Sequence, residues 1–175
     1  MGDVLVYVDQ PVNERLLAFA RPLADAAGGA LVALLAGGGP ADADGLAAAD
    51  VVLEVSHPAL SPYLPEAHQA VLAAAIEART PDLVLLENTT AGYDLAAAAA
   101  AAAGLPFVGY CVGLSLEGGE AQALRAIYGG QLHATVRTPL PARGFHRWGR
   151  WSFAAAPWRP PAAPSGPAPR PRDCG

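Results

Sequence analysis

Lysine is absent from this chain; all eleven basic residues are arginines. Without lysine there is no Lys-Ser/Thr pair, so a phosphate-binding P-loop is excluded. Cysteine is nearly absent too. Cys111 and Cys174 are far apart and fit a buried thiol and a tail thiol better than a disulfide framework, and neither belongs to a zinc spacing. No apolar run has the length and flanks of a membrane span, because the longest is an alanine tract, short and only weakly hydrophobic. The first residues, Met1 to Asp9, carry no basic region and include Asp3, so no signal peptide is evident and a cytoplasmic location is expected. There is no GxGxxG, no GxSxG around the Ser56-His57 dipeptide, and no pair of acids spaced for general acid–base work. Cys111 and His133 could meet only through the fold. No catalytic set and no metal ligands emerge, so an enzyme is not expected.

Aromatic residues make up only 7% of the chain, and all three tryptophans (Trp148, Trp151 and Trp158) fall in its last part. Charge is divided just as unevenly. Residues 1–142 hold five arginines against fifteen acids; residues 143–175 hold six arginines against Asp173 alone. An acidic body gives no reason to expect nucleic acid as a partner. The last segment is basic and aromatic up to Phe153, then rich in proline and alanine. Its composition predicts a poorly ordered tail over 143–175. An out-of-frame stretch of a GC-rich gene would have the same composition.

What is present is a repeated strand–helix pattern. The most informative stretch is Thr80 to Pro106, TPDLVLLENTTAGYDLAAAAAAAAGLP. Leu83 to Leu86 is a short unbroken apolar run, as in a strand buried on both faces. Glu87 to Asp94 is small and polar, with Gly92 to turn the backbone. Leu95 to Ala103 is nearly pure alanine, the best helix former, and Gly104 and Pro106 stop it. Upstream, Asp3 to Asp9 reads as a first strand. A helix follows from an Asn13 cap to about Ala27, with Leu16, Leu17, Ala20, Leu23, Ala24 and Ala27 on one face and a kink at Pro22. Ala30 to Ala36 and Val51 to Val55 read as strands, with a short helix at most over Asp44 to Ala49. A helix opened by Pro65 shows Val71, Leu72, Ala75 and Ile76 on its apolar face. After Pro106 the segments Phe107 to Leu116, Gln122 to Tyr128 and Leu132 to Arg137 are extended and joined by glycine turns. The pattern predicts an α/β fold: a mostly parallel three-layer α/β/α sheet, with antiparallel strands near the C-terminus.

In such sheets ligands sit outside the carboxyl ends of the strands. The candidate crevice residues are Asp9 after the first strand, Gly37 and Gly38 (with Gly39) after the second, and Thr89, Thr90, Gly92 and Asp94 in the main loop. Asp9 could equally be a turn or cap residue, and the glycines a flexible turn. Thr90 or Asp94 could instead cap the alanine helix.

On these residues the chain resembles the N-terminal domain of the electron transfer flavoprotein alpha subunit. VLVYVD is similar to its first strand, and AADVVLEVSHPALSPYLPEAHQAVL to its third strand and following helix. PDLVLLENTTAGYDLAAAAAAAAGLP is similar to its GRDLA-containing segment. FVGYCVGLSLEGG and LRAIYGGQLHATVRT resemble its closing strands, with Cys111, Arg125, Tyr128, Gly129 and Gly130 on matching positions. The resemblance covers about residues 3–138. Tyr93 stands where the family pattern has arginine, and PARGFHRWGRWSF stands where its closing strand is expected.

The resemblance implies an adenine-nucleotide-binding-like fold over residues 1–142 and a role in flavin-mediated electron transfer. It implies a scaffold that pairs with a beta-like subunit, or with itself, and is inactive alone. FAD is the family's cofactor, but the C-terminal domain that supplies most of its contacts is not recognisable here. The alternative is a small adenine-nucleotide-binding domain holding AMP, with no electron-transfer role. Neither reading calls for a membrane or a nucleic acid.

Overall fold

The structure is a computed structural model and describes residues 2–8, 12, 14–37, 45–139 and 151–155. In chain order its elements are β1 (Val4–Val8), α1 (Glu14–Ala27), β2 (Leu31–Ala36), β3 (Val51–Val55), α2 (Pro65–Arg79), β4 (Leu83–Glu87), α3 (Thr90–Ala103), β5 (Phe107–Glu117), β6 (Glu120–Ile127), β7 (Leu132–Pro139) and β8 (Trp151–Ala155). They form one eight-stranded sheet in the order β3-β2-β1-β4-β8-β5-β6-β7. Pairing is parallel from β3 through β8 to the start of β5, then antiparallel through β6 and β7.

Every residue of β1 and β2 is buried, which is why these strands are continuous apolar runs without alternation. Two hydrophobic clusters, one on each face, make the three layers. On one face α1 packs Leu16, Leu17, Ala20 and Leu23 against Val4, Val6 and Leu85. On the other, α2 and α3 pack Leu72, Ile76, Leu95 and Ala96 against Leu5, Tyr7, Val84 and Leu86. The six α1 residues expected on one face are the six that are buried. The helix is continuous through Pro22. Pro22 and Ala18, whose carbonyl loses its bond, both lie on the exposed side, where water takes the freed group. Asn13, the expected cap, lies outside the described residues. Residues 45–48 form a turn, with the Ala49 N–H donating to the Leu46 carbonyl, so no helix forms there among the described residues.

The amino ends of the strands are tied by ion pairs. Asp3 takes Arg79 at 2.6 Å and the Ala30 N–H at 3.1 Å. Asp50 takes Arg21 at 2.7 Å and the Leu31 N–H at 2.8 Å. The Arg21 hydrogen bond, and then the Leu31 N–H, hold the Asp50 carboxyl below its usual range. These contacts leave the carboxyl ends free for other uses.

One expectation needs correction. Trp151–Ala155, read as part of an unpacked tail, is strand β8, set between β4 and β5 in the middle of the sheet. The reading weighed the arginines, tryptophans and prolines of the whole segment together. Taken alone, WSFAA is a short run with one polar residue, long enough for a strand. Residues 143–150 and 156–175 lie outside the described residues.

Candidate functional site

The chain lays down β1, β2 and β3 in one direction, then crosses back to place β4 on the other side of β1. The strand order therefore reverses between β1 and β4. At such a point the connections leave to opposite faces and open a crevice at the carboxyl ends. Here α1 follows β1 on one face and α3 follows β4 on the other. Val6 pairs with Leu85, so Val8 and Glu87 end the two strands at one level.

The β4–α3 corner is tight. A Cβ at Gly92 would sit 2.1 Å from the Glu87 carbonyl oxygen, so the first turn of α3 lies directly on the end of β4 and only glycine fits. Thr89 is the helix N-cap: its Oγ1 accepts the Gly92 N–H at 3.0 Å. The cap was expected from Thr90 or Asp94. Both instead lie inside the helix, exposed, because the turn starts one residue earlier, as soon as β4 ends. At the other end Gly104, in the left-handed region at φ 66°, closes α3.

Of the candidate residues, the fold brings Thr89, Thr90, Gly92 and Asp94 to the β4 side of the reversal. Gly37 lies one strand away, at the β2–β3 edge, where its N–H donates to the Val55 carbonyl at 3.0 Å. Asp9 and Gly38 lie outside the described residues. No cluster of three or more metal-ligating side chains occurs among the described residues.

A polar network in the core went unread in the sequence. The Tyr7 hydroxyl bonds to Nδ1 of His68, whose Nε2 is 3.2 Å from the Leu60 carbonyl. With the carbonyl as acceptor, Nε2 carries the proton and Nδ1 accepts from the phenol. Tyr63 packs on the same imidazole, ring centroids 4.6 Å apart. The network fastens the β3–α2 connection to the carboxyl half of β1. The available signal was spacing: His68, Leu72, Ala75 and Ile76 share one helical face.

With this geometry in place, comparison with known proteins identifies the family. The model of the electron transfer flavoprotein domain matches residues 5–143. The chain belongs to that family. A relative is the protein FixB of Rhizobium meliloti (strain 1021), 32% identical over 136 residues, covering 73% of this chain and 38% of FixB. The chain thus spans well under half the length of that relative.

Two features of this electron transfer flavoprotein domain bear on chemistry. First, Tyr93, at the position of the expected arginine, joins an aromatic stack, 5.1 Å from Phe107 and 5.2 Å from Tyr110 between ring centroids. A Cβ at Gly109 would be 2.4 Å from the Tyr93 ring, so this glycine lets the ring lie on the β5 backbone. Second, Cys111 is fully buried, and burial pushes its thiol up to about 11, against the weaker pull of nearby Arg125. A neutral thiol is no nucleophile. At pH 7.5 Cys111 is expected to resist alkylation until the chain unfolds, which peptide mass spectrometry would show. The sign of the linkage follows from the raised value. The stabilisation is complete below the unfolded thiol's value near 9 and is lost as pH rises toward 11. It amounts to about 3 kcal/mol. A Cys111→Ala variant is expected to lack this component of alkaline destabilisation in urea titrations at pH 8 and 11.

Proposed function

We propose that this chain is an alpha-type electron transfer flavoprotein domain that supports flavin-mediated electron transfer as a scaffold. It docks a beta-type subunit and does not itself hold the flavin. The observation that carries this reading is the state of the β1/β4 reversal. Among the described residues, the Thr89 Oγ1 accepts the Gly92 N–H to cap α3, and one strand away, at the β2–β3 edge, the Gly37 N–H donates to the Val55 carbonyl. Both contacts serve the chain's own corners, which supports a scaffold role.

A second reading is supported by the strand reversal itself. An adenine nucleotide such as AMP would lie between the loops after β1 and β4, against Asp9, Gly37, Gly38, Thr89, Thr90, Gly92 and Asp94. Native mass spectrometry of the purified chain, alone and with millimolar FAD or AMP, separates the readings. Ligand-free protein throughout is the expected result for the scaffold. Saturable AMP would establish the second reading. FAD carried through purification would overturn the first, and a ligand-free homodimer would point to self-association in place of a beta-type partner.

A further inference from the structure

Strand β5 leaves its register where it runs beside β8. Val108 pairs with Phe153 and Cys111 with Ala155, so two residues, Gly109 and Tyr110, stand opposite the single Ala154. Such a bulge re-aims a side chain. Here it keeps Val108 and Cys111 together in the core on the α1 face. Tyr110 is turned to the α3 face, where its ring lies 5.2 Å from that of Tyr93. Tyr110 has φ 55°, in the left-handed region that favours glycine. It is also 52% exposed, so burial among the described residues does little to offset that conformation. A disfavoured backbone that holds out a large aromatic ring points to a use for the ring.

Tyr93 and Tyr110 form a two-ring shelf. Phe107 backs Tyr93 at 5.1 Å between ring centroids, and the Gly109 backbone lies under the same ring. The shelf stands at the carboxyl end of the parallel strands, where Glu87, Ala155 and Cys111 are in register across β4, β8 and β5. Asp94, the residue after Tyr93, is exposed. Aromatic-lined surfaces are where proline-rich PxxP segments dock, and a neighbouring carboxylate suits an arginine in such a segment.

The chain itself supplies such a segment close by. β8 ends at Ala155, which is paired with Cys111, the residue after Tyr110. That is one strand spacing, about 5 Å, from β5. The next twenty residues, 156–175, contain seven prolines and begin Ala-Pro-Trp-Arg-Pro-Pro. Pro157 and Pro160 have the PxxP spacing, with Trp158 and Arg159 between them. Trp158 is three residues past Ala155, about 10 Å of extended chain. So short a tether gives an effective concentration on the order of millimolar, enough for a contact too weak to hold a separate peptide.

We propose that the Tyr93–Tyr110 shelf is the docking site of the chain's own segment Pro157–Pro161, with Trp158 and the prolines on the two rings and Arg159 toward Asp94. The contact lies within one chain and is independent of the scaffold reading.

The test follows chymotryptic cleavage after Trp158 in the full chain, seen by mass spectrometry as loss of residues 159–175. A docked segment is cut only in its open fraction. Tyr110→Gly removes one ring and places at this φ the residue that suits it, so the fold is kept, which thermal unfolding checks. It should be cut at least about tenfold faster than wild type. Tyr128→Gly is the control: Tyr128 is also exposed and left-handed, at φ 51°, but sits at the β6–β7 turn. It should be cut at the wild-type rate. Asp94→Arg leaves both rings in place and should raise the rate about threefold by repelling Arg159; it carries the test if Tyr110→Gly does not fold. Wild-type rates in Tyr110→Gly, or in Asp94→Arg where that variant stands in, would overturn the proposal. An equal rise in Tyr110→Gly and Tyr128→Gly would overturn it too, since the effect would then not belong to the shelf.

Discussion

Replacing Gly92 with alanine is expected to cost about 3 kcal/mol, the upper part of the range for forcing atoms into a packed site. The reason is local and geometric. The added carbon would lie 2.1 Å from a backbone oxygen, that of Glu87, which cannot swing away as a side-chain end could. Either the first turn of α3 lifts off β4 or β4 loses its last rung. Lifting also breaks the Thr89 cap, since Thr89 bonds the N–H of Gly92 itself. Thr89→Ala alone should cost about 1 kcal/mol. The two changes share an interaction, so the double variant should fall short of the sum. Urea unfolding followed by circular dichroism would measure all three. A Gly92→Ala midpoint equal to wild type would mean that helix and strand do not approach this closely.

The second large effect is expected in β8. Ala154 pairs with Leu86, and its neighbours Phe153 and Ala155 pair with Val108 and Cys111, so the strand is hydrogen-bonded on both sides. Proline at 154 removes a ladder donor, and proline is found in sheets only at edges, strand starts or bulges. Ala154→Pro should cost at least about 3 kcal/mol and leave β4 and β5 without their bridge. The measurement is thermal unfolding with a second probe of compactness, such as size-exclusion volume. A peripheral tail would tolerate the change. Wild-type stability of Ala154→Pro would therefore remove β8 from the sheet and return residues 151–155 to the out-of-frame reading of the sequence.

Most of the fold was legible because its strongest signals are local. Val4–Val8 and Leu31–Ala36 are apolar at every position, which only strands covered on both faces require. The 3.6-residue spacing of α1 named its buried residues without error. What failed was non-local. β8 could not be read because its strand identity depends on neighbours 68 and 45 positions away in the chain, Leu83 and Phe107, and the surrounding basic, proline-rich composition masked it. The cap moved from Thr90 to Thr89 because the end of β4 sets where α3 begins, and composition does not mark that boundary within one residue. His68 was passed over because a polar residue on an apolar face has meaning only when its partner is known, and Tyr7 lies 61 positions away.

The same distinction applies to function. The family match over residues 5–143 gives the lineage, while no sequence motif separates a scaffold from a nucleotide binder. The decision turns on whether the β1/β4 crevice holds a nucleotide. No described helix is long and apolar enough to cross a membrane.

Sedimentation velocity of the purified chain mixed with the beta-type electron transfer flavoprotein subunit is the most direct test of the scaffold role. A single faster boundary at one-to-one stoichiometry, forming without added nucleotide, is the expected result. Two independent boundaries at micromolar concentrations, unchanged in position from those of the separate proteins, would contradict it.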